Sequence, residues 1–325
     1  MQSGLLPLIL FTALLVALLV DWRFGEPPAM LHPVVWMGRY LKAVGQHSAP
    51  PASTSAQKLL PFVLGMLFWC AGAAIIFIFA ASVQKYLLLL PAWAAALLLG
   101  LFLKPLLAWR MLYDEVLAVE VALAQSLVAG RKRLALLVSR DTADLSEAQV
   151  REAALESLAE NLNDSVVAPV FWFVLLGLPG AALYRFANTA DAMWGYRDVR
   201  NGQQWEWAGK WAARADDALS WLPARITAFL LALVAGGLPL PCLQGNANKT
   251  PSPNSGWPMA AMALALGVCL GKPGVYVLNP DGHWPKATDI TKALRLAART
   301  VVLMGWFAGL GWAALWWGGW LWSPP

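Results

Sequence analysis

Residues 61–81 have the sequence PFVLGMLFWCAGAAIIFIFAA, and residues 87–103 have the sequence LLLLPAWAAALLLGLFL. Neither run contains a charged residue. A helix needs about 20 apolar residues to cross the hydrocarbon core of a bilayer, so both runs are long enough to span it. A short turn around Gln84 and Lys85 is expected to join them. The pair predicts a membrane hairpin.

The composition of the whole chain agrees with this prediction. The 325 residues are 59% hydrophobic and 13% charged, whereas typical globular domains are about 25% charged. Nineteen tryptophans are present, and tryptophan favours the interface between membrane and water. The predicted fold is all-α, a polytopic integral membrane protein with about four to six transmembrane or re-entrant helices and polar cytoplasmic helical regions.

Five more apolar runs lie on either side of this hairpin in the chain. They cover residues 5–20, 166–184, 226–240, 259–270 and 301–322. Prolines interrupt residues 166–184, and a broken segment at membrane depth is tolerated where it is buried in protein or lines a cavity. We therefore interpret this run as re-entrant. In residues 21–39, three prolines and two glycines are expected to prevent a regular helix.

We predict one membrane-embedded domain over residues 1–325. Its polar, site-bearing segments are residues 21–45, 139–165, 188–225 and 252–276. The three cysteines lie far apart and the three histidines are scattered, so neither a disulfide nor a zinc site is expected. The net charge of +5 comes without a basic run interleaved with aromatics. That pattern fits a lipid bilayer as partner and argues against nucleic acid.

The placement of Lys and Arg predicts the orientation. The connections after the first and third apolar runs are basic, whereas the turn of the hairpin holds only Lys85. By the positive-inside rule, both basic connections face the cytoplasm and the N-terminus faces outside. We prefer a cytoplasmic location for both polar regions, residues 104–164 and 188–225. That location requires residues 166–184 not to cross the bilayer.

Residues 139–164, SRDTADLSEAQVREAALESLAENLND, form the most polar part of this apolar chain. Ser146, with Gln149 three residues later, predicts the start of a helix through a capping box. An apolar stripe follows at four-residue spacing, made of Val150, Ala154, Leu158 and Leu162. A second stripe at the same spacing is acidic, made of Glu152, Glu156, Glu160 and Asp164.

Two interpretations of the acidic stripe are open. One is a solvated helix surface that Arg140 and Arg151 partly neutralise. The other is a site for Mg²⁺ and a phosphorylated substrate, because Mg²⁺ is usually held by one or two carboxylates together with phosphates. The remaining polar segments favour the second interpretation.

Two further polar segments are candidates for binding. The proline-rich loop GEPPAMLHPVVWMGR presents His32 and Arg39, which suit an anion. Asn188 and Asp191 share a helix face ahead of Arg197, whose planar guanidinium can bind phosphate through two hydrogen bonds. The alternatives are a rigid loop beside a membrane helix and an ordinary charged helix end.

A last polar group combines Arg214, Asp216, Asp217 and Arg225 with the loop at residues 252–258. Neighbouring side chains on a helix point about 100° apart, so one of the two carboxylates is expected to meet a metal and the other to pair with an arginine. Asn254 precedes an alanine-rich helix, whose N-terminus can offer backbone N–H groups to an anion. The sequence contains no Walker-type glycine loop, GxGxxG, GxSxG or HExxH motif.

Six segments of the chain together resemble one family. In order they are GEPPAMLHPVVWMGR, SRDTADL, ESLAENLNDSVVAPVFW, NTADAMWGYR, ARADDALSWLPAR and SPNSGWPMAAMALALGV. They are similar to the successive signature segments of the CobD/CbiB type of adenosylcobinamide-phosphate synthase, an enzyme of cobalamin biosynthesis. Two positions depart from the family pattern: Glu26 stands where the family usually has Asp, and Ser165 stands where it usually has Gly.

The resemblance implies a multi-pass ligase of the bacterial inner membrane with its active site on the cytoplasmic side. Such enzymes form an amide (C–N) bond between adenosylcobyric acid and (R)-1-aminopropan-2-ol O-phosphate, or aminopropanol, giving adenosylcobinamide phosphate or adenosylcobinamide. ATP and Mg²⁺ are the implied cofactors, since a carboxylate is a poor electrophile and phosphate transfer to it creates a leaving group. Implied partners are the corrinoid and amine substrates, the bilayer and other late corrinoid-pathway membrane enzymes.

The roles that the resemblance implies fall on three overlapping sets of residues. The catalytic set is Glu156, Glu160, Asp164, Asp191 and Arg140. The substrate-binding set is His32, Arg39, Asn161, Asn188, Tyr196, Arg197, Arg225 and Asn254. The metal-binding set, for Mg²⁺, is Glu160, Asp164, Asp191, Asp216 and Asp217.

Two other interpretations stay open. A membrane signalling protein of the related AmpE type, tied to β-lactamase regulation, shares distant ancestry with the synthases. The loop around His32 and the loop at residues 252–258 favour the synthase. A transporter would use the broken run at residues 166–184, but the polar residues cluster in extramembrane helices rather than inside the spans.

Overall fold

The computed structural model describes residues 5–52 and 58–321, with side chains described as far as residue 314. Within those residues the chain forms thirteen α-helices and two short β-hairpins. The helices are α1 Leu6–Phe24, α2 Pro33–Ser48, α3 Leu59–Leu87, α4 Ala92–Leu103, α5 Trp109–Gln125, α6 Leu127–Leu134, α7 Glu147–Leu162, α8 Ala168–Leu176, α9 Leu178–Trp194, α10 Lys210–Val234, α11 Leu240–Ala247, α12 Gly256–Leu266 and α13 Ala287–Leu321. The antiparallel strand pairs are β1 Val199–Arg200 with β2 Gln203–Gln204, and β3 Leu270–Lys272 with β4 Tyr276–Leu278.

Five helical stretches of the described chain are long and apolar enough to cross a membrane. They are Leu6–Phe24, Leu59–Leu87, Ala92–Gln125, Lys210–Val234 and Ala287–Ala314. The prediction of an all-α polytopic membrane protein is confirmed.

The chain divides into two compact units. Unit 1 comprises residues up to 107, residues 168–219 and residues from 308 onward, and unit 2 comprises residues 108–167 and 220–307. The prediction of one membrane domain is not tested by this division and stays a prediction.

Unit 1 is organised by long apolar helices. Within it α1 packs along α4, α3 packs along α9, and α2 contacts both α3 and α9. Gly72 of α3 lies so close to the rings of Tyr40 and Phe186 that a Cβ at this position would force them to move. Glycine therefore allows α3 to approach α2 and α9 closely.

Unit 2 is built around α7. Helices α5, α6 and α12 and strand β3 all pack on it, so residues 152–159 are buried in succession. A helix that is covered on every side must satisfy its polar side chains within the protein, because burying an unpaired polar group is costly.

The membrane hairpin differs from its prediction at the turn. Helix α3 continues through Gln84 and Lys85, and the turn to α4 lies at residues 88–91. The Gln84 Oε1 atom accepts a hydrogen bond of 2.7 Å from the backbone N–H of Leu178 in α9. The predicted turn was wrong because this polar side chain serves a helix–helix contact rather than a solvated loop.

Residues 21–39 are more helical than predicted. Helix α1 extends to Phe24, and α2 begins at Pro33. A proline suits the first position of a helix, where its missing N–H is not needed. His32 caps the same end, since its Nδ1 atom accepts a hydrogen bond of 3.3 Å from the Val34 backbone N–H. Proline starts a helix here rather than preventing one.

Residues 166–184 are interrupted, as predicted, although the break itself lies at Gly177, which has φ 70° between α8 and α9. These helices have 9 and 17 residues, each shorter than the roughly 20 residues of a typical span. A π-helical turn, Asn163–Val167, precedes α8. The re-entrant placement of this run stays a prediction.

Helix α10 runs across the predicted boundary between a polar region and an apolar run at residue 226, and it ends at Val234. It contains Pro223, which cannot donate a backbone hydrogen bond to the Leu219 carbonyl four residues earlier. The indole N–H of Trp172 donates to that carbonyl at 3.0 Å instead. The helix continues because the carbonyl keeps a partner, so the predicted boundary was wrong.

The last two predicted helices also have different bounds. The helix predicted over residues 259–270 ends earlier, at Leu266, because Gly267 adopts a left-handed conformation with φ 67°, and Leu270 belongs to β3. The span predicted over residues 301–322 is part of the longer helix α13. Its final residue, Trp322, lies outside the described residues.

Candidate functional site

Helix α7 in unit 2 begins as the sequence predicts. The Ser146 hydroxyl accepts a hydrogen bond from the Gln149 backbone N–H at 3.4 Å, and the Gln149 side chain accepts one from the Ser146 backbone N–H at 2.8 Å. The apolar stripe of four residues that follows is fully buried. The capping box fixes where the acidic stripe starts.

The acidic stripe is not a solvated surface. Glu152 and Glu156 are only 5% and 4% exposed. The guanidinium of Arg140 pairs with Glu156, but Arg151 pairs with Glu120 at 2.8 Å and not with the stripe. The interpretation of a solvated face neutralised by both arginines was wrong, because the helices and the strand packed on α7 cover it.

Glu156 is held between two partners. One carboxylate oxygen pairs with the Arg140 guanidinium, and the other accepts a hydrogen bond of 2.7 Å from the hydroxyl of Tyr276 in β4. Burial raises the pKa of Glu156 above its usual range, and the hydrogen bonds from Tyr276 and Arg140 offset this only in part. Burial, with the neighbouring Glu156 carboxylate, also raises the pKa of the Tyr276 hydroxyl.

Glu152 lies one turn before Glu156 on α7. Burial raises its pKa to about 7, with a further contribution from the charge of Glu156. The backbone N–H of Gly271 in β3 donates a hydrogen bond to Glu152, which acts in the opposite direction. Two buried carboxylates therefore stand side by side, with Arg140 as the cation that acts on both.

A polar pocket of about 200 Å³ opens beside Glu156 within unit 2. Its charged and hydroxyl-bearing wall is made of Ser139, Arg140, Glu156, Ser157, Glu160, Lys272 and Tyr276, together with the amide of Asn161. The Asn161 amide donates a hydrogen bond of 2.9 Å to the Ser157 carbonyl. The pocket joins four residues that the sequence analysis selected: Arg140, Glu156, Glu160 and Asn161.

Sequence reasoning missed Lys272 and Tyr276. Both belong to the hairpin of β3 and β4, and Tyr276 lies 120 residues beyond Glu156 in the chain. No local pattern connects the hairpin with α7. The one available signal was their position in the predicted polar segment at residues 252–276. Lys272 lies inside that segment and Tyr276 is its last residue.

The pocket can bind a hard cation such as Mg²⁺ only if a further anion, such as a phosphate, supplies some of the ligands. Among the described residues, no group of three or more His, Cys, Asp or Glu side chains is arranged to hold a metal ion. Mg²⁺ is commonly bound through one or two carboxylates plus phosphate oxygens. Glu156 and Glu160, one turn apart, both line the pocket, and their role as ligands for Mg²⁺ stays a prediction. Asp164 lies beyond them in the π-helical turn, where its Oδ1 accepts a hydrogen bond of 2.7 Å from Asn163.

A second polar group lies within unit 1, on α9 and the first part of α10. The Asn188 side-chain amide nitrogen is 3.5 Å from the Asp216 carboxylate, and the guanidinium of Arg185 is 3.5 Å from the side-chain oxygen Oδ1 of Asn188. Arg197 acts electrostatically on Asp217, and the pairing of one of the two adjacent carboxylates with an arginine stays a prediction. Sequence reasoning did not select Arg185, although it stands one turn before Asn188.

Two other predicted residues of α9 and its end have local roles. The backbone carbonyl of Asp191 accepts a hydrogen bond of 2.7 Å from Gly195, which ends the helix. The hydroxyl of Tyr196 donates to the Ala192 carbonyl at 2.9 Å, and the guanidinium of Arg200 stacks 3.9 Å from the Tyr196 ring centre. These contacts hold the helix end in place. They leave untested the predicted catalytic and metal-binding role of Asp191 and the predicted substrate-binding role of Tyr196.

Arg225 and Asn254 meet each other within unit 2. The Arg225 guanidinium donates a hydrogen bond of 3.1 Å to the Asn254 side-chain oxygen and one of 3.3 Å to the Pro253 carbonyl. The rings of Trp221 and Trp257 lie 4.3 and 4.9 Å from the same guanidinium. The arginine thus ties α10 to the loop before α12.

The predicted anion loop of unit 1 carries an ion cluster instead of an open histidine. The His32 Nε2 atom is 2.9 Å from a carboxylate oxygen of Glu26, and the Lys104 ammonium is 3.1 Å from Glu26 and 3.3 Å from Asp21. Arg39 stands exposed on α2. Within unit 1, His32 therefore contacts the carboxylate of Glu26.

Comparison with known proteins identifies relatives along most of the chain. The family model described as CobD/Cbib protein matches residues 14–297. The chain is 42% identical over 295 residues to a probable cobalamin biosynthesis protein CobD of Thermococcus kodakarensis, covering 90% of this chain and 92% of that protein. It is 39% identical over 302 residues to the probable protein of the same name from Methanothermobacter thermautotrophicus, covering 90% and 94%. It is 40% identical over 322 residues to the cobalamin biosynthesis protein CobD of Chromobacterium violaceum, covering 92% and 93%. No solved structure matches the chain.

Proposed function

Because the chain belongs to the CobD/CbiB family of cobalamin biosynthesis proteins, we propose that it is the ligase that joins adenosylcobyric acid to an aminopropanol. The amine is (R)-1-aminopropan-2-ol O-phosphate or the free amino alcohol. The bond formed is an amide between the propionate carboxyl group of the corrinoid and the primary amine. The product is adenosylcobinamide phosphate or adenosylcobinamide.

The observation that carries the proposal is the polar pocket of unit 2, where Glu156 and Glu160 lie beside Arg140 and Lys272. Amide formation from a carboxylate needs a leaving group, and ATP supplies one by phosphorylating the carboxylate. Carboxylates can hold the Mg²⁺ that accompanies a phosphate, and an arginine or lysine offsets charge on the transferring group. The pocket supplies both kinds of side chain within one unit.

The size of the pocket limits what it holds. Its volume of about 200 Å³ is below the roughly 300–1,000 Å³ of typical sites for drug-sized ligands. We therefore assign to it the phosphoryl end of the nucleotide rather than the whole molecule.

The side chains of the pocket have separable tasks under this proposal. Glu160, with Glu156 one turn away, provides the oxygens for Mg²⁺. Arg140 and Lys272 provide positive charge toward the phosphoryl oxygens. Tyr276 keeps the Glu156 carboxylate in place through its 2.7 Å hydrogen bond.

The other predicted residues keep their proposed tasks. Asp164, Asp191, Asp216 and Asp217 are proposed to serve the metal and the nucleotide. The substrate groups are assigned to His32, Arg39, Asn161, Asn188, Tyr196, Arg197, Arg225 and Asn254. The active site is proposed to face the cytoplasm at the bacterial inner membrane, where other late corrinoid-pathway membrane enzymes can exchange substrates with it.

The direct test is turnover by the purified full-length protein in proteoliposomes. Adenosylcobyric acid, ATP and Mg²⁺ are supplied with either amine, and the corrinoid is weighed by mass spectrometry. We expect a corrinoid heavier by the aminopropyl group or its phosphate, with ADP and phosphate released in equal amounts. A corrinoid of unchanged mass with both amines contradicts the proposal. Product formed without ATP contradicts the activation step alone.

A matched pair of variants assigns the chemistry to the pocket. Glu160→Gln removes a carboxylate that lines the pocket, whereas Glu147→Gln makes the same change on the same helix at a side chain that is 60% exposed. We expect the first to lower turnover at least about a hundredfold, since positioned electrostatic groups contribute on that scale. The second should leave turnover unchanged. Equal activity in both variants removes Glu160 from the site.

A further inference from the structure

Unit 1 contains a large apolar cavity whose lining residues have no assigned role in the proposed chemistry, although one of them, Glu26, contacts His32. Its volume is about 910 Å³. Its walls come from the ends of α1 and α4, the middle of α3, and parts of α2 and α9, with side chains such as Phe24, Trp36, Ile76, Phe79 and Phe102. Phe24 and Phe79 are 75% and 58% exposed and belong to helices that are long enough to cross a membrane. The cavity is thus continuous with an exposed apolar surface of helices that are long enough to cross a membrane.

One end of this cavity is charged. Glu26 and Lys104 line it, and Lys104 is 3.1 Å from Glu26 and 3.3 Å from Asp21. Burial raises the pKa of Glu26, but the hydrogen bond from His32 and the charge of Lys104 outweigh burial and hold the pKa below its usual value. Glu26 is therefore an anion at neutral pH.

The hydrogen bonds of His32 involve both nitrogens of its ring. Its Nδ1 atom accepts from the Val34 backbone N–H, so Nδ1 carries no proton. Its Nε2 atom must then be the N–H that donates to Glu26 Oε2 at 2.9 Å. The ammonium of Lys104 lies close to two carboxylates, Asp21 and Glu26.

One carboxylate oxygen of Glu26 lacks a hydrogen-bond donor among the described residues. Both His32 and Lys104 approach its Oε2 atom, whereas Oε1 is buried without a hydrogen-bond partner among the described residues. A buried carboxylate oxygen without a donor is costly. A donor that enters from the cavity, with a small rotation of the carboxylate, would satisfy it.

We propose that the apolar cavity of unit 1 binds one phospholipid with a primary ammonium head group, phosphatidylethanolamine, with its acyl chains against the apolar walls and its ammonium donating to Glu26. The charge is complementary, because the head-group ammonium meets the Glu26 carboxylate, which lines the cavity and has one buried oxygen without a hydrogen-bond partner among the described residues. The apolar walls do not suit the amide-rich corrinoid or a nucleotide, since buried polar groups need partners. The proposal is independent of the chemistry assigned to unit 2.

The test compares lipids that differ only in the head group. The full-length protein is reconstituted in vesicles of equal parts palmitoyl-oleoyl phosphatidylethanolamine, phosphatidylcholine and phosphatidylglycerol, extracted, and examined by native mass spectrometry. The quaternary ammonium of phosphatidylcholine has no N–H, and phosphatidylglycerol has no ammonium. We expect one lipid retained per chain, with phosphatidylethanolamine favoured over either rival about tenfold, the scale of a hydrogen bond to a charged group.

Two pairs of variants locate the lipid. Glu26→Gln should abolish the head-group preference, whereas Glu206→Gln, the same change at an exposed site of the same unit, should keep it. Ala80→Phe fills the buried wall of the cavity and should remove the retained lipid. Ile78→Phe, at an exposed position of α3 outside the cavity wall, should retain it.

Several outcomes would overturn the proposal. Equal retention of the three lipids by the wild-type protein excludes the ammonium preference without reference to any variant. Retention that survives Ala80→Phe in a folded protein places the lipid outside the cavity. Release of the lipid in exchange for adenosylcobyric acid assigns the cavity to the substrate.

Discussion

Glu156 illustrates how much a single buried carboxylate depends on its partners. It is 4% exposed, paired with the Arg140 guanidinium and hydrogen-bonded to Tyr276. Breaking a buried ion pair by removing one partner is costly, because the charge that is left behind has neither water nor a counter-ion. The same carboxylate is therefore both a structural centre of unit 2 and a candidate for phosphate chemistry.

Tyr276→Phe removes one hydrogen bond and keeps the ring. We expect the pKa of Glu156 to rise further, because burial already raises it and the hydroxyl opposes that shift. Loss of a hydrogen bond to a charged group should lower amide formation about tenfold. The rate of amide formation is measured as turnover in proteoliposomes. The control is Tyr86→Phe, which makes the same change at a tyrosine that is 66% exposed. Unchanged turnover in Tyr276→Phe would show that the hydroxyl does not support Glu156.

Glu152 should make stability depend on pH. Its pKa is about 7 in the folded protein and 4.5 in its ordinary state, so between those values the folded state binds the proton more tightly than the unfolded state does. The free energy of unfolding should then fall as pH rises from about 4.5 to about 7, by on the order of 3 kcal/mol. Below pH 4.5 the full contribution is present.

Thermal denaturation in detergent from pH 5 to pH 8 measures this dependence. Glu152→Gln imitates the protonated side chain, so its melting temperature should change less with pH than that of the wild-type protein. Glu147→Gln serves as the control, since its side chain is 60% exposed. Equal pH dependence in wild type and Glu152→Gln would contradict the assignment.

At the scale of elements, the site depends on a hairpin that meets a helix. Strands β3 and β4 bring Lys272 and Tyr276 to α7, and Gly271 lies where β3 passes Glu152. A Cβ at Gly271 would lie 2.9 Å from the Tyr276 carbonyl oxygen, closer than such atoms approach. The absence of a side chain at Gly271 lets the hairpin keep Tyr276 in reach of Glu156.

Gly271→Ala and Gly274→Ala should therefore separate activity from stability. The first forces the backbone of the hairpin to shift, so turnover should fall tenfold or more on the scale of a lost charged hydrogen bond. The second lies at the turn, where φ is 72° and nothing is within 4 Å of a new Cβ. It should lower stability by roughly 1–2 kcal/mol of backbone strain with turnover kept. Activity assays and melting curves on both variants measure these effects. Equal turnover in the two variants would contradict the proposal that the hairpin keeps Tyr276 in reach of Glu156.

At the scale of the whole molecule, the charge distribution predicts which polar segments face the cytoplasm. In a background without Cys70, Cys242 and Cys269, single cysteines at the exposed positions Ala143 and Asp198 should react only after a membrane-permeant reagent is added to intact cells. The basic connections favour the cytoplasmic side for both segments.

Leu89, 70% exposed in the turn between α3 and α4, is the opposite control. A cysteine there should react with an impermeant reagent from outside. Labelling of position 198 from outside would mean that residues 166–184 cross the bilayer, against the preferred arrangement. The active-site side would then have to be reassigned.

Features of the fold that depend on residues close together in the chain were predictable from the sequence. Features that depend on contacts between residues far apart in the chain were not. The start of α7 was predictable because Ser146 and Gln149 are three residues apart, and the apolar runs were predictable because a span needs only length and hydropathy. The turn at Gln84 and the boundary near Pro223 were wrong. In both cases a distant group, the Leu178 backbone or the Trp172 indole, satisfies a polar atom that a local rule would leave to solvent.

The amino-acid sequence by itself determined that this chain is a helical membrane protein of one family, since hydropathy, capping and signature segments are read along neighbouring residues. Only the tertiary structure decided that the acidic stripe is buried and that Glu156 meets Arg140 and Tyr276, which lie 16 and 120 residues away in the chain. Burial and the choice of partner shift the pKa of a carboxylate and decide what it can bind. Both depend on packing between distant segments, so they cannot be derived from the order of residues along one helix.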